Sequence, residues 1–199
     1  MSQDHLPMAA LMLASVRKSM PDVEVHHLTD GKCDALKGAD AVQRLPEAMP
    51  MAIRRMTLHS QCEGEWLFVD SDVIVQKDVR DVFEDKEFDV ALTNRDGTIT
   101  NEAAYAAVMP INIGITFSRS PAFWKLVLHH LYQMPFKLQE WTGDQLVVCE
   151  MMKHGGFGFK VKVLPGLKYN YPPKYEGDGE NASIQHFKGD RKLWLKKLA

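Results

Sequence analysis

Glu65-Trp66-Leu67-Phe68-Val69-Asp70-Ser71-Asp72-Val73-Ile74-Val75 is the stretch that decides the fold. Trp66 to Val69 is a continuous apolar run that ends in acid. Such a run suits a strand buried on both faces, as in a parallel sheet, and implies a neighbour on each side. A second apolar triplet, Val73 to Val75, leads to a polar turn around Asp78. Working backwards, Met51 to about His59 is expected to be a helix carrying Arg54 and Arg55, and Cys33 to Pro50 an unpatterned loop. Glu24 to Thr29 reads as a short strand, closed by the turn Asp30-Gly31. Met8, Leu11, Met12, Val16 and Met20 recur at helical spacing before Pro21 stops the helix. Working forwards, strands are expected at Phe88–Leu92, Asn112–Ser118, Val161–Leu164 and Ser183–Phe187. Helices are expected at Pro121–Gln133, opened by its proline, at Gly143–His154, stopped by Gly155-Gly156, and at Asp190–Leu198. Alternating strands and helices predict an α/β class with a mostly parallel central sheet flanked by helices. The 199 residues suit a single domain, 1–199. In such sheets ligands sit at the carboxyl ends of the strands, where Asp70 to Asp72 fall.

Charge and composition narrow the function. The formal net charge of -2 gives the chain no overall attraction for nucleic acid. The cations gathered between Lys188 and Lys197 read first as a solvated helix face. Cys33, Cys62 and Cys149 are widely spaced, contain no Cys-x-x-Cys pair and suit free thiols in a reducing cytosol. No apolar run is long enough for a transmembrane segment, so the expected location is cytoplasmic.

The candidate chemistry begins with Asp70 and Asp72. Asp fills 15 of 199 positions, so chance alone supplies about one Asp-x-Asp per chain. Two hard oxygen donors at a strand end suit Mg²⁺ or Mn²⁺, but a turn capped by either carboxylate is an equally good reading of this segment alone. His186, Gly189 and Lys192 shift the balance. An imidazole completes a carboxylate metal shell, a glycine lets backbone N–H groups approach phosphate, and a lysine brings a point charge to the same anion. Asn112-Ile113-Gly114 and Gly143-Asp144-Gln145 offer amide and carboxylate groups suited to sugar hydroxyls. Asn112 is also an ordinary turn residue, and Asp144 an ordinary helix N-cap. Arg54 and Arg55 either neutralise a diphosphate or face water.

In chain order these motifs are LFVDSDVIV at 67–75, INIGITF at 111–117, TGDQLVV at 142–148, YNY at 169–171 and HFKGDRKLW at 186–194. Together they resemble glycosyltransferase family 8, the glycogenin and bacterial galactosyltransferase-like group with a GT-A fold. The resemblance runs from about Met8 to Trp194. It implies a GT-A-type nucleotide-diphospho-sugar transferase fold, a donor that is a nucleotide-sugar (a UDP-sugar) and a separate acceptor. It also implies transfer of a hexose with retention of configuration, and it designates no protein nucleophile. Asp70, Asp72 and His186 would hold Mn²⁺ (or Mg²⁺), with Ser71 inside the same turn. Gly189 and Lys192 would hold the phosphates, and Arg54 or Arg55 would be the basic residue that precedes the acidic strand. Asn112, Gly114, Asp144 and Gln145 would approach the sugar, Asp144 and Gln145 as the catalytic pair.

Two positions depart from the family pattern. Leu193 stands where a proline usually follows the motif lysine. The family also opens with an apolar strand ahead of its first helix, and only Met1 to Pro7 precede that helix here. The first strand is therefore expected to be missing, which would leave a sheet edge open to a second copy and a homo-oligomer. A non-catalytic GT-A-like binding domain and a haloacid-dehalogenase-like phosphatase, whose nucleophile also lies in Asp-x-Asp, are the alternatives.

Overall fold

A computed structural model describes residues 5–95 and 106–196. In chain order the elements are α1 (Leu6–Ser19), β1 (His26–Asp30), β2 (Ala41–Leu45), α2 (Met51–His59), β3 (Trp66–Val69), β4 (Val73–Val75), β5 (Val90–Asn94) and β6 (Ile111–Ser118). They continue with α3 (Pro121–Tyr132), α4 (Phe136–Glu140), α5 (Gly143–Lys153), β7 (Val161–Leu164), α6 (Gly166–Tyr169), β8 (Ile184–His186) and α7 (Lys192–Lys196). The α/β class is as expected. The final helix is split into a 3-10 turn, Gly189–Arg191, followed by α7; its expected end at 197–198 lies outside the described residues, as do residues 1–4 of the opening segment. Among the described residues no helix is long and apolar enough to cross a membrane.

The chain forms two compact units. The first comprises Met1–Glu47, Val69–Asp81 and Gly166–Ala199. Here α1 buries Met8, Met12 and Val16 on one line, with Ala9 and Leu13 beside it, because residues four apart share a helix face. Pro7 in its first turn and Arg17 and Lys18 in its last suit the two ends of the helix dipole. Met8, Phe187 and Leu195 form one apolar cluster with Ile74 and Trp194 against it. Ala9, Leu13 and Leu36 form another. β1 and β2 pair in parallel, so the segment expected to be a loop contains a strand. β2 escapes a reading by pattern because none of its residues is fully buried and Val42, an apolar residue, is among the exposed ones. β4 and β8 pair antiparallel, with Val73 opposite His186.

The second unit comprises Ala48–Phe68 and Val82–Pro165. Its sheet has the order β3-β6-β5-β7. β5 runs antiparallel to β6 and parallel to β7. With β1–β2 parallel and β4–β8 antiparallel, the strand directions are mixed rather than mostly parallel. The strand buried on both faces is β6, every residue of which is buried. β3 stands at one end of the order with β6 as its one strand partner among the described residues, and only Phe68 of its four residues is fully buried. The apolar run was therefore misleading about flanking strands. Its side chains are covered by rings: Phe68 stacks on His59 with centroids 3.7 Å apart, and Trp124 meets both rings edge-on.

β6 buries polar side chains at little cost because each is satisfied locally. Thr116 Oγ1 donates to Ile113 O at 3.1 Å, and Trp124 Nε1 donates to Ser118 Oγ at 2.8 Å. α3 starts under a serine cap, with Ser120 Oγ accepting from Phe123 N at 3.3 Å, and buries Phe123, Trp124, Val127 and Leu131 at helical spacing. α2 and α5 both pack on it.

His59 is wholly enclosed by this packing. Burial, followed by the charge of Arg55, pushes its pKa well below the ordinary value of 6.5. The folded state thus holds the ring neutral, while the unfolded chain takes up a proton as pH falls below that value. Stability should therefore decline on the acid side, by at most about 1.4 kcal/mol per pH unit for this group. His59→Phe keeps a ring against Phe68 and removes the titration. Urea unfolding at about pH 7.5 and about pH 5.5 should show a smaller loss of stability for the variant than for the wild type. An equal loss in both proteins would refute this role for His59.

Candidate functional site

Asp70 follows β3 in the chain, and in the first unit Ser71 and Asp72 make the tight turn that enters β4. The β4–β8 register sets His186 opposite Val73, and Phe187 N donates to Asp72 O at 2.8 Å. A residue from the far end of the sequence is thereby fixed beside the turn. His186 Nε2 lies 3.2 Å from Asp72 Oδ1 and 3.7 Å from Asp70 Oδ2. One donor atom from each of the three residues falls within 4.8 Å of the others. Two ligands at right angles around an ion with bonds of about 2.1 Å stand about 3 Å apart, so small adjustments give all three a common centre. The donor set of two carboxylates and one imidazole suits a hard or borderline divalent ion, and these residues fit one.

Asp72 is buried, and Lys192 Nζ stands 2.8 Å from its Oδ2. Burial alone would raise the carboxyl's pKa. The hydrogen bond and charge of His186, then those of Lys192, outweigh it and hold Asp72 well below the usual carboxylate range. Lys192 is thus more than a solvated lysine on a basic face. It opens α7, which Leu195, fully buried in the cluster with Met8 and Phe187, pins in place. Just before it, Gly189 has φ +58 with open space where a side chain would stand. That backbone conformation is left-handed and favours glycine, and it leaves N–H groups approachable. Leu193, in the place of the family's proline, points outward and is exposed.

The second unit gathers most of the residues read as sugar-binding. Arg55 Nη1 lies 3.3 Å from Asp144 Oδ2. Asp144 sits within the first turn of α5 and also accepts from Gln145 N at 2.8 Å through Oδ1, so it is not the simple N-cap that it resembles in the sequence. Thr142 holds that position in a left-handed conformation without a side-chain cap. Gln145 Oε1 accepts from Ile113 N at 3.4 Å. Asn112 Oδ1 accepts from Gly114 N at 3.0 Å, inside an irregularity where Thr93 pairs with Asn112 directly after Leu92 pairs with Thr116. Thr93 Oγ1 closes that bulge by donating to Asn112 O at 2.9 Å, and bulges of this kind re-aim side chains. Arg54 turns away to donate to Met49 O at 3.2 Å. Arg55 is joined to this group through Asp144. Two features were not read from the sequence: the bulge, and the role of Asn170, which lies inside the Tyr-Asn-Tyr motif and whose Oδ1 lies 2.9 Å from His186 Nδ1.

Comparison with known proteins agrees with this geometry. The family described as nucleotide-diphospho-sugar transferase matches residues 61–180, and the chain belongs to that family. Similar solved structures include a glycosyltransferase involved in glycosylating the major capsid of PBCV-1, with a TM-score of 0.57 and 18% identity over 80% of this chain and 85% of that one. The glycosyltransferase GlyE of Streptococcus pneumoniae TIGR4 gives a TM-score of 0.64 at 16% identity, over 97% of this chain but 57% of that one. The galactosyltransferase LgtC, solved with donor and acceptor sugar analogues, gives 0.61 at 12% identity over 98% and 93%. No curated protein matches by sequence. The fold is therefore that of the GT-A nucleotide-diphospho-sugar glycosyltransferases, which displaces the phosphatase alternative.

If Asp72 and His186 are ligands, Mn²⁺ titrations should register it. Removing an outer-shell partner of a metal ligand typically costs 10–100-fold in affinity, so Asp72→Asn and His186→Ala should each cost at least about tenfold. Wild-type affinity in both variants would remove the assignment.

Proposed function

We propose that this chain is a metal-dependent glycosyltransferase of the family 8 type. In this reading it moves a hexose from a UDP-sugar to an acceptor, with retention, and its 199 residues work as one domain. The observation that carries the proposal is the meeting of Asp70, Asp72, His186 and Lys192 at one turn, within a chain of the nucleotide-diphospho-sugar transferase family. A divalent cation there, Mn²⁺ or Mg²⁺, would stabilise the charge that develops on the diphosphate leaving group. Lys192 would shift from Asp72 to a phosphate oxygen and supply a second positive charge. Gly189 would present backbone N–H groups to the same anion. Asn112, Asp144 and Gln145 are the proposed sugar contacts, with Asp144 held by Arg55; the galactosyltransferase LgtC, which was solved with sugar analogues, supports this part by fold alone.

The direct screen is thermal unfolding across UDP-, GDP- and CDP-sugars, with and without Mn²⁺, since a ligand that binds the native state raises its apparent stability. A shift confined to UDP-sugars with Mn²⁺ is expected. Lys192→Ala gives a sharper test. It should weaken UDP binding by about 1–3 kcal/mol, the worth of a charged hydrogen bond. It should not weaken Mn²⁺ binding measured alone, because the lysine competes for Asp72 in the free protein. Unchanged UDP affinity in this variant would leave Lys192 without a phosphate role.

A further inference from the structure

We propose that Asn170 is a positioning residue for His186, setting the ring so that Nε2 presents its lone pair to a divalent cation. This inference rests on the metal reading given above. His186 is a buried ring with a distinct environment at each nitrogen. Nε2 faces the carboxylates of Asp72 and Asp70. Nδ1 lies 2.9 Å from Asn170 Oδ1, and both residues are buried. A neutral imidazole carries one proton, and it binds a metal through the nitrogen that lacks it. A carbonyl oxygen at Nδ1 accepts the proton there and leaves Nε2 open toward Asp70 and Asp72, the arrangement that orients metal-bound histidines generally.

The backbone brings the two residues close. Tyr171 forms a bridge with Gln185; Tyr171 N donates to Ile184 O at 3.0 Å, and His186 N donates to Tyr171 O at 2.8 Å. The bridge is parallel, so Asn170 and His186 lie diagonally across it, near enough for their side chains to meet. Asn170 N is itself held by Gly166 O at 2.8 Å, and the Tyr171 hydroxyl donates to Asp178 Oδ2 at 2.8 Å. The middle residue of the Tyr169-Asn170-Tyr171 motif thus has a role that its sequence did not disclose. The choice of an amide is also physical. A carboxylate at this position would orient the ring equally well but add a third negative charge beside half-buried Asp70 and buried Asp72. An amide supplies the acceptor alone.

The experiment uses the full chain and two readouts, Mn²⁺ affinity by electron paramagnetic resonance and the His186 tautomer by ¹⁵N NMR of the Mg²⁺-loaded protein. The His186 signals are identified by their loss in His186→Gln. Asn170→Leu keeps the side chain's size without an acceptor, and Asn170→Asp restores the acceptor. The wild type should show the proton on Nδ1. Asn170→Leu should lose that preference and bind Mn²⁺ about 10–100-fold more weakly, while Asn170→Asp should recover both. A purely space-filling or stabilising asparagine would instead lower the melting temperature of Asn170→Leu with Mn²⁺ affinity and tautomer unchanged, and that result overturns the inference while leaving the metal site standing. If Asn170→Leu does not fold, failure of Asn170→Asp to match the wild-type tautomer and affinity overturns it. A wild type that binds no Mn²⁺ overturns the metal reading and this inference together.

Discussion

A carboxylate kept charged in a buried place is the constraint around which the first unit is arranged. Asp72 has lost most of its contact with water, and an ionised carboxylate there is costly unless paired. Two groups meet that requirement, His186 on β8 and Lys192 on α7. Neither is near Asp72 in the sequence, so the β4–β8 pairing and the docking of α7 through Leu195 are both needed to bring them in. A buried ion pair of this kind is weak grounds for stability. Its retention makes more sense as function, because the same three groups can exchange one another for a cation and a phosphate.

The second unit solves a different problem. β6 is buried throughout yet carries Asn112, Thr116 and Ser118, and its polar groups are closed by short local hydrogen bonds around a bulge. Asp144 is buried at the start of α5 with Arg55 as counterion. These groups are held in fixed geometry by packed strands and helices, which is what positioning a substrate requires.

Much of this was legible in the sequence because it followed from strong local signals. The period of α1, the proline that opens α3, and the strand Val161–Leu164 emerged within a residue or two. Asp70, Asp72 and His186 were found together only because their motifs resemble a known family; spacing alone could not separate a metal site from a capped turn. β2 was hidden because its sequence, Ala-Val-Gln-Arg-Leu, does not alternate apolar with polar residues, and its strand character comes from pairing with β1. The apolar run at Trp66–Val69 suggested strands on both sides, whereas aromatic rings from α2 and α3 supply much of its cover. Asn170 stood inside the Tyr-Asn-Tyr motif, but its role was hidden because its partner is sixteen residues away.

In the proposed function a divalent metal and a nucleotide diphosphate share one site at Asp72. Calorimetric titration of the full chain with UDP, in saturating Mn²⁺ and again in a chelator, tests it most directly. Because coupling between two ligands is reciprocal, Mn²⁺ should tighten UDP binding by about tenfold or more, and UDP should tighten Mn²⁺ binding by the same factor. A UDP affinity indifferent to Mn²⁺ would contradict the claim.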